Sequence, residues 1–111
     1  MTQVELLTFE AVGKTLGVSP KRVHQLVRDG HLVAVRDDAG TRCVPALFVQ
    51  DGVIVKSLHS VITMLRDTHF EDHEIVDWLF RADDLLPGSP IEALRANRGS
   101  QVKRRAQLAG Y

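Results

Sequence analysis

The chain has 111 residues, with 14 basic and 14 acidic side chains, and therefore a formal net charge of zero. This length predicts one domain, or one unit of two lobes, with enough residues for a hydrophobic core. No apolar run approaches the roughly 18 residues needed to span a bilayer, and no signal-peptide pattern opens the chain, so a cytoplasmic protein without membrane contact is expected. The single cysteine, Cys43, excludes an internal disulfide and is expected to be a small buried side chain.

The zero net charge conceals an uneven distribution along the chain. Residues 1–50 carry six basic and five acidic side chains, residues 51–90 carry three and eight, and residues 91–111 carry five and one. A protein that binds nucleic acid needs a basic face rather than a basic total. The distribution therefore allows a nucleic-acid binder whose acidic middle points away from the duplex and whose non-specific binding is weak.

A first helix is predicted to begin after Thr8, whose hydroxyl can cap it. Its apolar side chains recur at helical spacing and form one stripe: Phe9, Val12 and Leu16. Gly13 lies on the same side and would let a second helix approach closely. Gly17 tolerates the positive φ at which many helices end, and Val18 is expected to fill the gap between the two helices.

A second helix is predicted to begin at Ser19 and Pro20, because a hydroxyl cap followed by proline is typical of a first helical turn. Asp29 and Gly30 end it. One face is apolar, with Val23, Leu26 and Val27. The opposite face carries only side chains that donate hydrogen bonds or can do so: Lys21, His24, Gln25 and Arg28.

This polar stripe predicts that helix Ser19–Arg28 lies in the major groove of double-stranded DNA. Lysine and arginine hold phosphates, whereas glutamine and arginine match the edges of adenine and guanine. The candidates for DNA contact are Lys21, Gln25 and Arg28 first, then Arg22 and His24, with Ser19 at the helix N-terminus. The alternative is an ordinary surface helix, on whose polar face cationic residues are common.

A β-hairpin wing is predicted to follow the second helix. Leu32–Val35 is strand-like, residues 37–40 form a turn, and residues 41–44 return as a second strand. Arg36 and Arg42 flank the tip and could reach phosphate or the minor groove, although a solvated hairpin edge explains them equally well. Asp37 and Asp38 would be repelled by DNA, so the tip itself is expected to stay clear of it.

The run TFEAVGKTLGVSPKRVHQLVRDGHLVAVR resembles the winged helix-turn-helix of the MerR and excisionase type. The similarity lies in the LGVS turn, the cationic helix after it, and the DGHLVAVR segment that leads into the wing. Nearly the whole chain is similar to a small actinobacterial family of winged helix-turn-helix DNA-binding proteins, through the further motifs VKSL, EIVDWLF, PIEAL and the ending VKRRAQLAGY.

That resemblance implies DNA binding, and regulation by a Ser/Thr protein kinase through an extended N-terminal tail. Only seven residues precede Thr8 here, so control by tail phosphorylation is not expected, and Thr2 and Thr8 are the positions at which to test it.

The rest of the chain is predicted to be mostly helical. Pro45–Val49 is predicted as one helical turn, Val53–Val55 as a third strand of the wing sheet, and Leu85–Ser89 as a loop. Trp78 is expected to pack the later helices against the DNA-binding lobe. Apolar residues at helical spacing predict four helices: Leu58–Arg66, Glu71–Phe80, Pro90–Ala96 and Ser100–Ala109.

These elements predict an α+β fold that is mostly α: a winged helix-turn-helix with a small β-sheet wing, followed by a helical C-terminal lobe. The DNA-binding lobe is expected to span residues 1–57 and the helical lobe residues 58–111. The expected function is double-stranded DNA binding by a transcriptional regulator associated with the nucleoid. No heptad run supports a long coiled coil, so a monomer or a compact dimer is expected.

The tract WLFRADDLLPGSPIEALRANRGSQV also resembles the C-terminal toxin-binding domain of Xre-type antitoxins. The similar positions are Trp78, Leu79, Leu86, Gly88, Pro90 and Leu94. This resemblance implies an alternative function, in which the helical lobe binds a toxin-like protein or a kinase and the helix-turn-helix is only a scaffold. The same pattern of apolar and turn residues also describes an ordinary helical lobe.

An enzyme is not expected, because no phosphate-binding loop and no marked nucleophile–base motif is present. His69, His73 and Asp77 have a spacing that could bind a metal on one helix face, but a polar helix start explains them better, so neither a metal nor a cofactor is expected. The Lys103–Arg105 run forms a second cationic patch, which either contacts phosphate or is a solvated helix end.

Overall fold

Six helices and five short strands make up the part of the chain that the computed structural model describes, residues 4–86 and 88–109. Thr2, Pro87 of the predicted loop and the last two residues of the C-terminal motif lie outside it. The strands are β1 (Leu6–Thr8), β2 (Val35–Arg36), β3 (Arg42–Pro45), β4 (Val49–Gln50) and β5 (Val53–Ile54). The helices are α1 (Phe9–Leu16), α2 (Pro20–Arg28), α3 (Leu58–Asp67), α4 (Asp72–Phe80), α5 (Pro90–Arg95) and α6 (Gly99–Leu108).

These elements confirm the predicted α+β class and the order of its helices. The single turn predicted at Pro45–Val49 is a 3-10 helix over Ala46–Phe48. No described helix has both the length and the apolar character that crossing a bilayer requires.

The wing sheet has three antiparallel strands in the order β1-β3-β2. Thr8 pairs with Cys43 across β1 and β3, and Arg36 pairs with Arg42 across β2 and β3. The expected third strand at Val53–Val55 was therefore wrong. Its residues 53–54 form β5, which pairs with β4 in a separate two-stranded sheet. The third place in the wing sheet is taken by β1, which precedes the helix-turn-helix.

The first wing strand is shorter than the predicted Leu32–Val35, because only Val35–Arg36 joins the sheet. The three residues before it are buried in the core without strand hydrogen bonds: Leu32, Val33 and Ala34. The backbone N–H groups of His31 and Leu32 both donate to the carbonyl of Leu26, at 2.9 and 3.3 Å. The chain thus stays hydrogen-bonded to the end of α2 as far as Leu32, four residues past Arg28, and strand pairing starts later.

Side-chain caps fix the two helices of the helix-turn-helix, as predicted. The Thr8 hydroxyl accepts the N–H of Ala11 at 3.1 Å, and the Ser19 hydroxyl accepts the N–H of Arg22 at 3.2 Å. Gly17 ends α1 in the left-handed region, at φ 73°. Val18 does not fill the gap between the helices, because its side chain is 36% exposed.

The backbone approaches α1 most closely at Gly13. The segment that approaches it is the turn after α1, whereas the sequence predicted the second helix. A Cβ atom at position 13 would lie 2.6 Å from the backbone carbonyl oxygen of Val18. The turn between α1 and α2 is held in place by the N–H of Val18, which donates to the carbonyl of Gly13 at 2.9 Å. The missing side chain at position 13 therefore sets how tightly the turn folds back on α1.

We expect Gly13→Ala to lower the free energy of unfolding by about 1–3 kcal/mol, because the added methyl group meets rigid backbone and its strain exceeds the gain of up to about 1 kcal/mol in helix propensity. Chemical denaturation measures the change. Lys14→Ala, at an exposed position of the same helix, should change stability by no more than about 0.5 kcal/mol. Equal stability of the two variants would show that the turn relaxes without cost.

The C-terminal helices pack on the N-terminal half through one continuous core. The rings of Phe48 and Phe80 lie 6.1 Å apart, and the Arg95 guanidinium donates to the carbonyls of Leu47 and Val49 at 2.9 and 2.8 Å. Trp78 is partly exposed, packs against this core and lines two depressions formed by residues between Phe70 and Ala109. Its expected role in joining the later helices to the DNA-binding lobe stays a prediction.

An ion pair ties α6 to the segment after α4. The Arg105 guanidinium donates to the Asp83 carboxylate at 2.9 Å, and the backbone N–H of Leu85 donates to the same carboxylate at 2.9 Å. These two partners hold the pKa of Asp83 below its usual value, the backbone hydrogen bond having the larger effect. Arg105 of the predicted cationic run therefore forms an ion pair within the protein, whereas Arg104 beside it is exposed.

The lowered pKa of Asp83 makes stability depend on pH in the acid range. Because the folded protein favours the charged carboxylate, its contribution is present above the ordinary carboxyl value of about 3.9 and is lost as the pH falls through the lower folded value. We expect the free energy of unfolding to fall less on acidification from about pH 5 in Asp83→Asn than in the parent protein. Asp84→Asn, which removes the same charge at the exposed neighbouring position, should follow the parent, and a parent-like Asp83→Asn curve would contradict the assignment.

His69, His73 and Asp77, whose spacing could have placed a metal on one helix face, do not share a helix. Helix α4 begins at Asp72, and His69 lies before it with a φ of 69°. Among the described residues, the ligand atoms of Glu71, His73 and Glu74 lie within 4.8 Å of one another, and all three residues are exposed. The Glu74 carboxylate accepts the N–H of Glu71 at 3.0 Å, so this cluster caps the helix.

Candidate nucleic-acid interface

Helix α2 separates its apolar and polar residues sharply. Val23, Leu26 and Val27 are buried against the rest of the helix-turn-helix. Lys21, Gln25 and Arg28 recur at i, i+4 and i+7, so they lie along the middle of the outward face. Lys21 and Arg28 are exposed, and Gln25 is partly exposed. No residue in the first turn of α2 is acidic.

The wing contributes to the same surface. A depression of about 460 Å³ is lined by the polar stripe of α2, by Val27 and by one wing residue, Arg42. The stripe residues that line it are Lys21, His24, Gln25 and Arg28. The structure thus brings together five of the eight residues expected to contact DNA. Ser19, Arg22 and Arg36 are not part of this lining.

Phe9 connects the wing to the helix and was not predicted to have this position. The Arg42 guanidinium lies 5.6 Å from the centre of the Phe9 ring, and the His24 ring meets Phe9 edge to face at 4.5 Å. A cation over an aromatic face is attracted by the ring, and Phe9 is itself 8% exposed and so held by the core. Phe9 therefore fixes Arg42 and His24 beside each other, an arrangement for which the sequence has no local signal.

Two of the other expected contact residues are engaged within α2. The Arg22 guanidinium donates to the side-chain oxygen of Gln25 at 3.1 Å. The Ser19 hydroxyl oxygen caps the helix by accepting the N–H of Arg22. In this first turn Pro20 has no N–H and the N–H groups of Arg22 and Val23 are bonded to Ser19, which leaves the backbone N–H of Lys21 unpaired among the described residues.

Arg36 has a different surrounding from Arg42, although the two are paired across the sheet. Its guanidinium donates to the carbonyl of Gly40 at 2.7 Å, across the tip of the wing. The Asp37 carboxylate accepts the N–H groups of Ala39 and Thr41 at 3.0 and 2.9 Å. Arg36 and Asp37 therefore both hold the wing turn in shape, and Asp38 at the tip is exposed.

The charge of this surface is positive and little compensated. Arg28 and Asp29 lie 3.9 Å apart with most of both side chains exposed, a geometry that contributes little. Within residues 4–86 and 88–109, no carboxylate lies within ion-pairing distance of Lys21 or Arg42. Cys43, next to Arg42, is buried as predicted, and burial, followed by the neighbouring Asp37 carboxylate, raises the pKa of its thiol.

Comparison with known proteins identifies both halves of the chain. Residues 1–49 match the family model described as "DNA-binding protein Rv2175c, wHTH domain", and residues 55–110 match "Rv2175c C-terminal domain of unknown function". The DNA-binding protein Rv2175c of Mycobacterium tuberculosis (strain ATCC 25618 / H37Rv) is 39% identical over 112 residues, which cover 90% of this chain and 77% of that protein. The chain belongs to the Rv2175c family.

The Rv2175c fold accounts for the whole chain. The NMR structure of Rv2175c matches it with a TM-score of 0.88 and 35% identity, covering 100% of this chain and 84% of that one. This confirms the expected small actinobacterial family with a winged helix-turn-helix. In this chain, the cationic depression lies between the second helix of the helix-turn-helix and the wing. The resemblances to the MerR and excisionase type and to Xre-type antitoxins remain predictions.

Proposed function

We propose that this protein binds double-stranded DNA by inserting α2 into the major groove, with the wing on the adjacent backbone. The observation that carries the proposal is the cationic depression formed by the outward face of α2 and Arg42 of the wing. A helix-turn-helix places its second helix in the major groove, where the N-terminal residues of that helix reach the base edges. The relative Rv2175c is named as a DNA-binding protein, which supports the same function here.

The roles of individual residues follow from their position on this surface. Lys21, Gln25 and Arg28 lie along the middle of the outward face and are the proposed groove contacts, with Arg22 and His24 on either side of them. Ser19 and the backbone N–H of Lys21, at the start of α2, face a phosphate, because a helix N-terminus favours anions. Arg42 contacts the backbone from the wing. Arg36 supports the wing turn through its bond to the Gly40 carbonyl and adds its charge to the wing.

The expected biological role is transcriptional regulation by a protein associated with the nucleoid. The described helices have at most ten residues, which is too short for the long coiled coil that joins many regulators, so a monomer or a compact dimer is proposed. Residues 51–90, which include α3 and α4, carry eight acidic and three basic side chains, a net charge of −5. This distribution favours one orientation on DNA and weak binding to unrelated sequence.

The test is fluorescence anisotropy of a labelled duplex of random sequence at two salt concentrations. Binding that weakens steeply as salt rises is expected, because lysine and arginine release counterions from the phosphates they neutralise. An absence of binding at the lower salt concentration, with a folded protein by circular dichroism, would contradict the proposal.

A second candidate function is protein binding by the C-terminal helices, with a toxin-like protein or a Ser/Thr protein kinase as partner. The observation that favours it is Trp78, which is partly exposed and lines two depressions of about 550 and 430 Å³. Leu85, which lines the larger one, is 72% exposed. Thr8, one of the two positions at which phosphorylation can be tested, caps α1 through its hydroxyl, so a phosphate there would replace a helix cap. A Trp78→Ala variant that keeps full DNA binding but loses a partner captured by the parent protein would support this function.

A further inference from the structure

Arg22 and Gln25 form a hydrogen-bonded pair on the face of α2 proposed to meet DNA. The guanidinium of Arg22 donates to Oε1 of Gln25 at 3.1 Å, across one turn of the helix. The orientation of the amide is fixed by this bond, because the opposite orientation would set the donors of both groups against each other. Gln25 lies in the middle of the outward face and Arg22 at its side, so the bond draws the guanidinium towards the middle.

This pairing changes what Gln25 can recognise. A lone glutamine recognises adenine with two bonds, in which its oxygen accepts from the adenine amino group and its nitrogen donates to N7. Here one lone pair of the oxygen accepts from Arg22, and the guanidinium held beside the other would face the adenine amino group, donor against donor. The pair therefore presents mainly donors: the Gln25 amide N–H groups and the remaining N–H groups of Arg22.

Guanine is the base whose major-groove edge accepts two such bonds, through O6 and N7. Adenine offers one acceptor and one donor, and thymine offers one acceptor beside a methyl group. Both residues lie in the first two turns of α2, the part of such a helix that reaches the base edges. We propose that Arg22 and Gln25 act as one unit that selects guanine in the target site of this protein. This inference rests on the DNA binding proposed above.

The experiment selects bound duplexes from a pool with a random central segment, sequences them, and then titrates matched duplexes that differ at one base pair. For the parent protein we expect one position at which guanine is preferred over adenine by a factor on the order of ten. Arg22→Ala releases the Gln25 oxygen, so the preference at that position should shift towards adenine.

Lys21→Ala is the matched control, because it removes the same charge from the same helix without touching the pair. It should bind all duplexes more weakly but keep the guanine preference. If Arg22→Ala weakens binding alike on every duplex and leaves the base preference unchanged, Arg22 holds only a phosphate and the proposal is wrong. A parent protein that binds duplexes without any base preference also overturns it, whereas failure to bind any duplex overturns the DNA-binding function itself.

Discussion

Replacing Lys21 and Arg28 together by alanine should remove most of the DNA binding. Both side chains are exposed on the middle of the α2 face and both line the cationic depression. An arginine that recognises a guanine contributes about 1–3 kcal/mol, and a lysine on a phosphate adds roughly one charge to the salt dependence. We therefore expect a loss of about 2–4 kcal/mol in binding free energy, measured by anisotropy over a range of salt concentrations.

The slope of the salt dependence separates two roles for Arg28. If Arg28 holds only a phosphate, Arg28→Ala should weaken binding to all duplexes alike and lower the slope by about one. If it recognises a base, the loss should be larger for the preferred duplex than for an unrelated one. The double variant Arg81→Ala/Arg98→Ala loses the same charge at exposed positions outside the depression and should bind nearly as the parent does. Similar losses in both double variants would show that only the total charge matters.

Arg95→Met should have the largest effect on stability among the polar substitutions. The Arg95 guanidinium donates to the carbonyls of Leu47 and Val49, which connects α5 to the 3-10 helix and β4 of the N-terminal half. A hydrogen bond from a charged donor contributes about 1.5–3 kcal/mol, and its removal leaves partly buried carbonyls without that donor. We expect the free energy of unfolding to fall by about 2–4 kcal/mol in urea denaturation, with methionine retaining most of the apolar volume.

Arg98→Ala provides the comparison, because Arg98 is an exposed arginine three residues further along the chain. Its effect should be within about 0.5 kcal/mol. If Arg95→Met is no more destabilising than Arg98→Ala, then the junction between the halves depends on the apolar core alone.

The features predicted correctly from the sequence depend on neighbouring residues. Thr8 and Ser19 cap helices because their hydroxyls reach N–H groups three residues away, and the donor stripe of α2 follows directly from helical spacing. The helices of the C-terminal half were predictable for the same reason. Their bounds agree with the structure to within one or two residues.

The features that the sequence did not predict depend on pairing between distant segments. Nothing around Leu6–Thr8 marks a strand, because its partner β3 lies beyond both helices of the helix-turn-helix. The place of Arg42 over Phe9 follows from that same pairing. Arg95 carries no local sign that its donors meet two carbonyls.

The strand order β1-β3-β2 has a consequence for how the DNA-binding half folds during synthesis. Because β3 is the central strand, neither β1 nor β2 can pair until residues 42–45 are available. A nascent chain that has reached Arg28 contains both helices but lacks their sheet, and contacts between distant segments form more slowly than local ones. A fragment that ends before β3 would therefore contain the whole α2 stripe and yet have neither the strand partner of Thr8 nor the arginine that lies over Phe9.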